Sequence, residues 1–256
     1  MGPRTMFPIS MKNKVAVVTG GSGGIGQAIS RYLANAGAQL IVSDIDLEGA
    51  KKVVENLRSD ASKAVAVKTD VTKPDDMNRL VEKALQEFGT LDIMVNNAGV
   101  NSLTSVDDMS KSEWDRVMDI NLWGVFLGCK YASRPMMKQK HGKIVNISSQ
   151  NAKAGGIFSG MNYTGSKAGV WAMTKSFAKL LAPHKVNVNA ICPGPVDTPF
   201  HQRLTKEQRT NLTSAIPWGR FGLPEDIAGA VLFLSSDLSD FITGVALDVN
   251  GGALMY

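Results

Sequence analysis

Short runs of apolar, β-branched residues recur along the whole chain, each followed by an amphipathic stretch. The runs are 14–19 (KVAVVT), 39–43 (QLIVS), 64–68 (AVAVK), 91–95 (LDIMV), 143–147 (KIVNI), 186–191 (VNVNAI) and 245–249 (VALDV). They are continuously apolar or nearly so, the pattern of strands covered on both faces in a parallel sheet. Helical windows lie between them at 24–36, 46–59, 74–88, 112–139, 162–182 and 224–235. Asp46 is placed to cap the second window, Pro74 with Asp75 and Asp76 opens the third, and Gly37 and Gly89 stand where helices stop. Strand–helix alternation over the full length predicts an α/β fold: a doubly wound, parallel, seven-stranded sheet with helices on both faces.

The 256 residues show no linker, repeat or low-complexity tract, so one domain is expected over 13–256, preceded by a loose arm at 1–12. The segment 195–222 reads as the only long irregular excursion. Its mix of Pro195, Pro199, Pro217 and Gly219 with Phe200, Leu204 and Trp218 fits a substrate lid. Hydrophobic residues at 44% and charged residues at 20% are ordinary for a globular protein. A net charge of +5 is scattered, without a basic run or aromatic–basic interleaving. It speaks against nucleic acid as a partner and leaves an anionic cofactor or substrate open. No stretch of 18 apolar residues is present, so no membrane span is expected. The proline-broken start MGPRTMFPIS does not resemble a secretory leader, and two cysteines, Cys129 and Cys192, cannot make a disulfide framework. A reducing, cytoplasmic setting is the expectation.

Thr19-Gly20-Gly21-Ser22-Gly23-Gly24-Ile25-Gly26 follows the first strand and opens the first helix. A diphosphate needs a backbone that approaches without Cβ atoms and a helix N-terminus offering free N–H groups. In this reading Gly20 makes the turn, Gly24 lets the backbone close in and Gly26 lets the helix pack on the sheet. Asp44 ends the second strand, where an acid accepts from the ribose hydroxyls of NAD and repels the 2′-phosphate of NADP; capping of the next helix is its alternative use. Asp70 and Val71 close the third strand, and Asp70 either meets an adenine amino group or forms an Asx turn into Thr72.

Polar clusters follow the later strands: Asn96-Asn97-Ala98-Gly99, Ser148-Ser149 and Pro193-Gly194-Pro195. Such strand ends are where open parallel sheets bind ligands. Beside them Tyr163 and Lys167 stand four apart at the start of a long helix, hence on one face. A free tyrosine has a pKa of about 10. A neighbouring ammonium lowers it by about 1–3 units, and the oxidised nicotinamide is expected to lower it further. The pair is thus a candidate acid–base device.

Taken in order, TGGSGGIG at 19–26, NNAG at 96–99, Asn121 in DINLWG, Ser149 in VNISS, Tyr163 with Lys167, and the PG of CPGPVDTP resemble the short-chain dehydrogenase/reductase superfamily. The resemblance covers about residues 12–252 and implies a Rossmann-type fold and a nicotinamide-dependent oxidoreductase. It implies that Tyr163 transfers the proton, Ser149 orients the substrate oxygen, Lys167 binds the nicotinamide ribose and lowers the Tyr163 pKa, and Asn121 holds a water leading from Lys167 to solvent. Expected cofactor contacts are Gly20, Ser22, Gly24, Ile25, Gly26, Asp44, Ile45, Asp70, Val71, Asn97, Ala98, Gly99, Tyr163, Lys167, Pro193, Gly194, Val196 and Thr198. Thr198 is similar to the residue that meets the carboxamide. Ser148 remains a rival for the serine role, because the spacing to Tyr163 is one longer than usual. Asn250 stands where the family more often has an acid.

The substrate is expected to meet Ser149, Gln150, Asn151, Tyr163 and His201, with Asn101, Ser102 and Ser159 nearby. These polar loops lean toward a secondary alcohol such as a sugar, polyol or diol, oxidised with NAD. The alternative is a ketoreductase acting on 3-oxoacyl thioesters, normally with NADPH. A non-catalytic dinucleotide-binding regulator is a third reading, which the presence of both Tyr163 and Lys167 disfavours. His141, His184 and His201 lack ligand spacing, so no catalytic zinc or other metal site is expected. The helix 162–182 is apolar nearly all round (Trp171, Met173, Phe177, Leu180), which points to a homo-oligomer; the resemblance implies a tetramer.

Overall fold

The computed structural model describes residues 9–58, 63–156, 159–199 and 204–255. Seven strands, β1 (Val15–Thr19), β2 (Gln39–Asp44), β3 (Ala64–Lys68), β4 (Ile93–Asn96), β5 (Gly142–Ile147), β6 (Val186–Pro193) and β7 (Ala246–Val249), form one sheet in the order β3-β2-β1-β4-β5-β6-β7. Every pairing is parallel. Among the described residues nine α-helices accompany them: α1 (Gly24–Asn35), α2 (Leu47–Arg58), α3 (Pro74–Phe88), α4 (Lys111–Met118), α5 (Gly124–Gln139), α6 (Asn151–Ala154), α7 (Met161–Leu181), α8 (Lys206–Ser214) and α9 (Pro224–Leu234).

Alternate residues of each strand feed opposite cores. On one face Ala16, Val18, Leu40 and Val42 pack with α1, α2 and α9 through Ile29, Leu33, Val53 and Val231. On the other, Val15, Val17, Ile41 and Met94 pack with α3, α5 and α7 through Met77, Leu80, Leu127 and Leu181. Around the central strands both faces are dry, which is why those strands read as nearly unbroken apolar runs. The strand order reverses between β1 and β4, so a crevice opens beyond their C-terminal ends.

Three expectations change. The helix expected over 112–139 is broken by a π turn at Asp119–Trp123. The additional residue in that turn presents Asn121 to the interior, where its amide is bonded at both ends to Val100. The stretch 195–222 contains α8, started by a Thr205/Gln208 capping box, and it is not the only long irregular connection, because 97–110 carries neither helix nor strand. Met11, within the stretch read as a loose arm, is buried, and its N–H donates to Ala36 O at 2.7 Å.

One polar network crosses the second core. Asn96 Nδ2 donates to Asn146 Oδ1 at 2.8 Å, Asn146 Nδ2 donates to Thr174 Oγ1 at 3.0 Å, and Thr174 Oγ1 donates to Val170 O at 2.8 Å. It fixes β4 and β5 against α7, the helix that carries Tyr163 and Lys167. A side chain at Gly128 of α5 would collide with the Asn96 amide. Gly128→Ala is expected to destabilise the protein by about 1–3 kcal/mol, seen as a lower urea midpoint with unchanged slope.

Candidate active site

The glycine loop turns tightly after β1. Gly20 sits at φ +62, and a Cβ there would lie 2.8 Å from Ala98 Cα, so the loop presses directly on the segment after β4. A Cβ on Gly26 would strike the Gly20 carbonyl. Asn97 Nδ2 donates to the carbonyls of Thr19 and Gly20, both at 2.9 Å, and stitches the two loops together. At the start of α1 the N-cap is Gly23, which supplies no side-chain cap. The first N–H groups of the helix therefore face the crevice, and the nearest atoms to a Cβ on Gly24 are 3.9 Å away, on Thr198 and Pro199. That is the opening a bulky anion requires.

Asp44 is anchored to this loop rather than to a helix. Its Oδ2 accepts from Ser22 N at 2.9 Å and Ser22 Oγ at 2.7 Å, while Oδ1 accepts from Asp46 N at 3.0 Å. The cap of α2 falls to Asp46, whose Oδ1 accepts from Gly49 N at 3.1 Å. Asp70 forms the Asx turn: its Oδ1 accepts from Thr72 N at 3.0 Å and Thr72 Oγ1 at 2.7 Å. Burial pushes the Asp70 carboxyl up, but the Thr72 bonds and the Lys73 ammonium outweigh it and hold the carboxyl below its ordinary value.

At the other end Tyr163 and Lys167 project from the first turns of α7 toward the end of β5. Lys167 is 4% exposed, and its Nζ donates to Ile147 O at 2.8 Å, lying 5.8 Å from the centre of the Tyr163 ring. Burial lowers the Lys167 pKa to about 8. Burial likewise raises Tyr163, although a hydrogen bond with Ser149 pulls the other way. The lowering of the tyrosine pKa expected from the sequence is therefore not produced by the chain's own groups; desolvation exceeds the pull of the Ser149 hydrogen bond. Ser148 Oγ donates to Lys167 O at 2.8 Å and is used up in seating α7, so Ser149 is the hydroxyl beside Tyr163. Asn121 Nδ2 also donates to Ser166 Oγ at 3.1 Å. Its side chain braces the loop after β4 against α7. A Cβ on Gly99 would lie 3.2 Å from Asn121 Oδ1 and 3.3 Å from Lys167 Nζ, so these three groups converge.

Three cavities run together along the strand ends. One of about 770 Å³ is bordered by Gly20, Ser22, Asp44, Ile45, Asp70 and Val71. A second of about 450 Å³ is bordered by Ser149, Tyr163, Lys167, Pro193, Val196 and Thr198, and it shares Ile25, Asn97, Gly99 and Thr198 with the first. A third of about 350 Å³ holds Gln150, Asn151, Ser159 and Leu212 and shares Ser149 and Tyr163 with the second. The substrate-loop residues Gln150 and Asn151 thus face the space next to Tyr163, whereas His201, Phe158, Phe200 and Gln202 lie outside the described residues. Thr69, Asp119, Ile120 and Arg116 also border the trough and were missed from sequence. Arg116 lies in the last turn of α4, just before the π turn, and it is held by Glu113 in a two-point pair at 2.8 and 2.9 Å. Asn250 Oδ1 accepts from Gly252 N at 2.9 Å, closing the turn after β7 that abuts Gly194.

Residues 20–253 match the protein family described as Enoyl-(Acyl carrier protein) reductase. The chain is 38% identical over 248 residues to the 3-oxoacyl-(acyl-carrier-protein) reductase FabG of Thermotoga maritima, covering 96% of this chain and 99% of that protein. It is 40% identical over 240 residues to a cis-4-hydroxycyclohexanecarboxylate dehydrogenase of Sinomonas cyclohexanicum, covering 93% of this chain and 96% of that one. The crystal structure of a short-chain type dehydrogenase/reductase from Mycobacterium marinum superposes with a TM-score of 0.92 at 33% identity, covering 96% and 98% of the two chains. The chain belongs to the short-chain dehydrogenase/reductase superfamily and is an oxidoreductase of that type.

Lys167 also has a measurable thermodynamic signature. Its folded pKa of about 8 lies below the ordinary lysine value, so the native state binds fewer protons than the unfolded state between the two. Stability contributed at this site therefore rises as pH increases from about 8 toward 10, and at neutral pH the buried charge is a penalty. Lys167→Met is expected to abolish turnover while raising the melting temperature at pH 7 by about 3–6 °C, a gain that shrinks at pH 10. Calorimetry at the two pH values checks it.

Proposed function

We propose that this protein is an NAD(H)-dependent reductase of a ketone to a secondary alcohol, with Tyr163 as proton donor, acting on a 3-oxoacyl compound. The observation that carries the direction is the likeness to relatives named as 3-oxoacyl reductases; burial at Tyr163 agrees with it, because it disfavours the phenolate. A protonated phenol is the form reduction requires. Ser149 Oγ orients the substrate oxygen, and the Tyr163 proton passes to that oxygen as it becomes the hydroxyl. Lys167, fixed on the Ile147 carbonyl, stabilises the phenolate left behind. Asn121 acts through Ser166 and Val100 and keeps the loop after β4 in place.

The residues present fit a nicotinamide dinucleotide, judged by the uncapped start of α1 and the open space at Gly24. Gly20, Ser22, Gly24, Ile25 and Gly26 would hold the diphosphate, Asp44 and Ile45 the adenosine half, and Asn97, Ala98, Gly99, Lys167, Pro193, Gly194, Val196 and Thr198 the nicotinamide half. Bound there, the cofactor supplies hydride transfer. The reading of NAD rests on Asp44, whose carboxylate accepts from Ser22 and Asp46 and makes no ion pair among the described residues. The substrate reading rests on the relatives named as 3-oxoacyl reductases. One observation favours a hydroxylated substrate such as a polyol or diol instead: the cavity beside Tyr163 is lined by the amides of Asn101, Gln150 and Asn151 and the hydroxyl of Ser159. The described parts of 195–222 serve as the lid of this space, and the half-exposed Trp123 at the end of the π turn, with the exposed Leu180 on α7, belongs to the face of a homotetramer.

Tyr163→Phe is expected to reduce kcat by roughly 10²–10⁴-fold while NADH still binds, read by fluorescence. Retained turnover would overturn the assignment. Asp44→Ser is expected to shift the NADPH-to-NADH ratio of kcat/KM upward by at least tenfold. Assay of acetoacetyl and longer 3-oxoacyl thioesters at pH 7, against polyols and diols at pH 9–10, decides the substrate. Activity on polyols alone removes the 3-oxoacyl reading.

A further inference from the structure

At the opposite edge of the sheet, under the N-terminal ends of β1, β4, β5 and β6, lies a cavity of about 820 Å³. It shares no lining residue with the catalytic trough. At about 3.3 Å per strand residue, roughly 15–20 Å of sheet separates the two.

Four lysines border it: Lys14, Lys140, Lys143 and Lys185. Two of its three carboxylates are already engaged. Asp92 accepts from Val15 N at 2.8 Å and pairs with His141 Nε2 at 2.6 Å, and Asp240 pairs with Lys143 Nζ at 2.6 Å. Lys14, Lys140 and Lys185 have no carboxylate partner among the described residues, and Asp237 is the one lining acid without a cation, so positive charge is in excess. The wall also contains Ser235, which is 4% exposed and whose buried Oγ has no hydrogen-bond partner. A buried hydroxyl left unpaired is costly unless a ligand or water answers it. At the rim Phe241 is fully exposed, an aromatic surface that gains from being covered.

Lys140 and Lys185 both close helical segments in the left-handed conformation, at φ 56 and 58, where glycine or asparagine would be less strained. Neutralising a helix C-terminus is one use for such a lysine. It accounts neither for Lys14, which ends no helix, nor for Ser235 and Phe241.

We propose that this cavity is a second ligand site, for an amphipathic organic anion: a carboxylate or phosphate head held by Lys14, Lys140 and Lys185, with an apolar body against Phe241. The volume is in the range of small-molecule sites. The proposal does not depend on which substrate the catalytic trough takes.

Isothermal titration of the full chain with octyl phosphate, octanoate, octan-1-ol and inorganic phosphate, each with and without saturating NADH, tests it. Octyl phosphate or octanoate is expected to bind one per chain whether or not NADH is present, with octanol and inorganic phosphate at least tenfold weaker. The double variant Lys140→Asn/Lys185→Asn, chosen because asparagine tolerates the left-handed conformation, is expected to lose at least tenfold in affinity. Phe241→Ser is expected to lose severalfold, and Lys138→Gln, outside the cavity, nothing. Absence of binding up to several millimolar, equal affinity in the double variant, or displacement of the anion by NADH would each overturn the proposal; the last would place the anion in the catalytic trough.

Discussion

A parallel sheet covered by helices on both faces leaves no dry interior position for chemistry that needs charge. Every residue of β1 is buried, and so are all of β4 and β5. Polar groups that act on a ligand are therefore pushed beyond the strand ends, where loops of different length meet. The reversal of strand order between β1 and β4 parts those loops and leaves the crevice. The glycine loop, Asp44, Asp70, the segment after β4 and Ser149 all follow from that single arrangement, because each lies at or just past the C-terminal end of a strand.

Within the crevice desolvation is the largest influence on how Tyr163 and Lys167 titrate. Tyr163 and Lys167 share one helix face, yet the ammonium is committed to the Ile147 carbonyl. Burial then moves the two groups in opposite directions, the phenol up and the ammonium down. The two pKa values are thereby driven apart, so the proton stays on the phenol while the amine gives up its own more readily than a solvated lysine does. The polar network through Asn96, Asn146 and Thr174 keeps α7 from sliding, so that this balance is held at a fixed geometry.

Several parts of this arrangement were legible from residue order. The seven apolar runs all became strands, within a few residues, since a strand dry on both faces has almost no freedom to be anything but apolar. The glycine loop was equally plain, because a close backbone approach excludes Cβ atoms and so excludes nineteen residue types. The break at Asp119–Trp123 was not visible: Asn121 is polar in the middle of an amphipathic helix, and only the partner at Val100 shows why the helix yields there. Arg116 carried no signal along the chain, and the choice between Ser148 and Ser149 stayed open.

By itself the sequence determined the class of fold and the identity of the reactive groups. Those depend on periodicity and on short-range steric demands, which are local along the chain. Tertiary structure alone decided which neighbour each polar group bonds: Ser148 with the Lys167 carbonyl, Asp44 with the Ser22 loop, Lys167 with Ile147. It also decided the direction of the pKa shifts. Desolvation is a property of everything packed around a group, and residues far apart in sequence supply most of that packing.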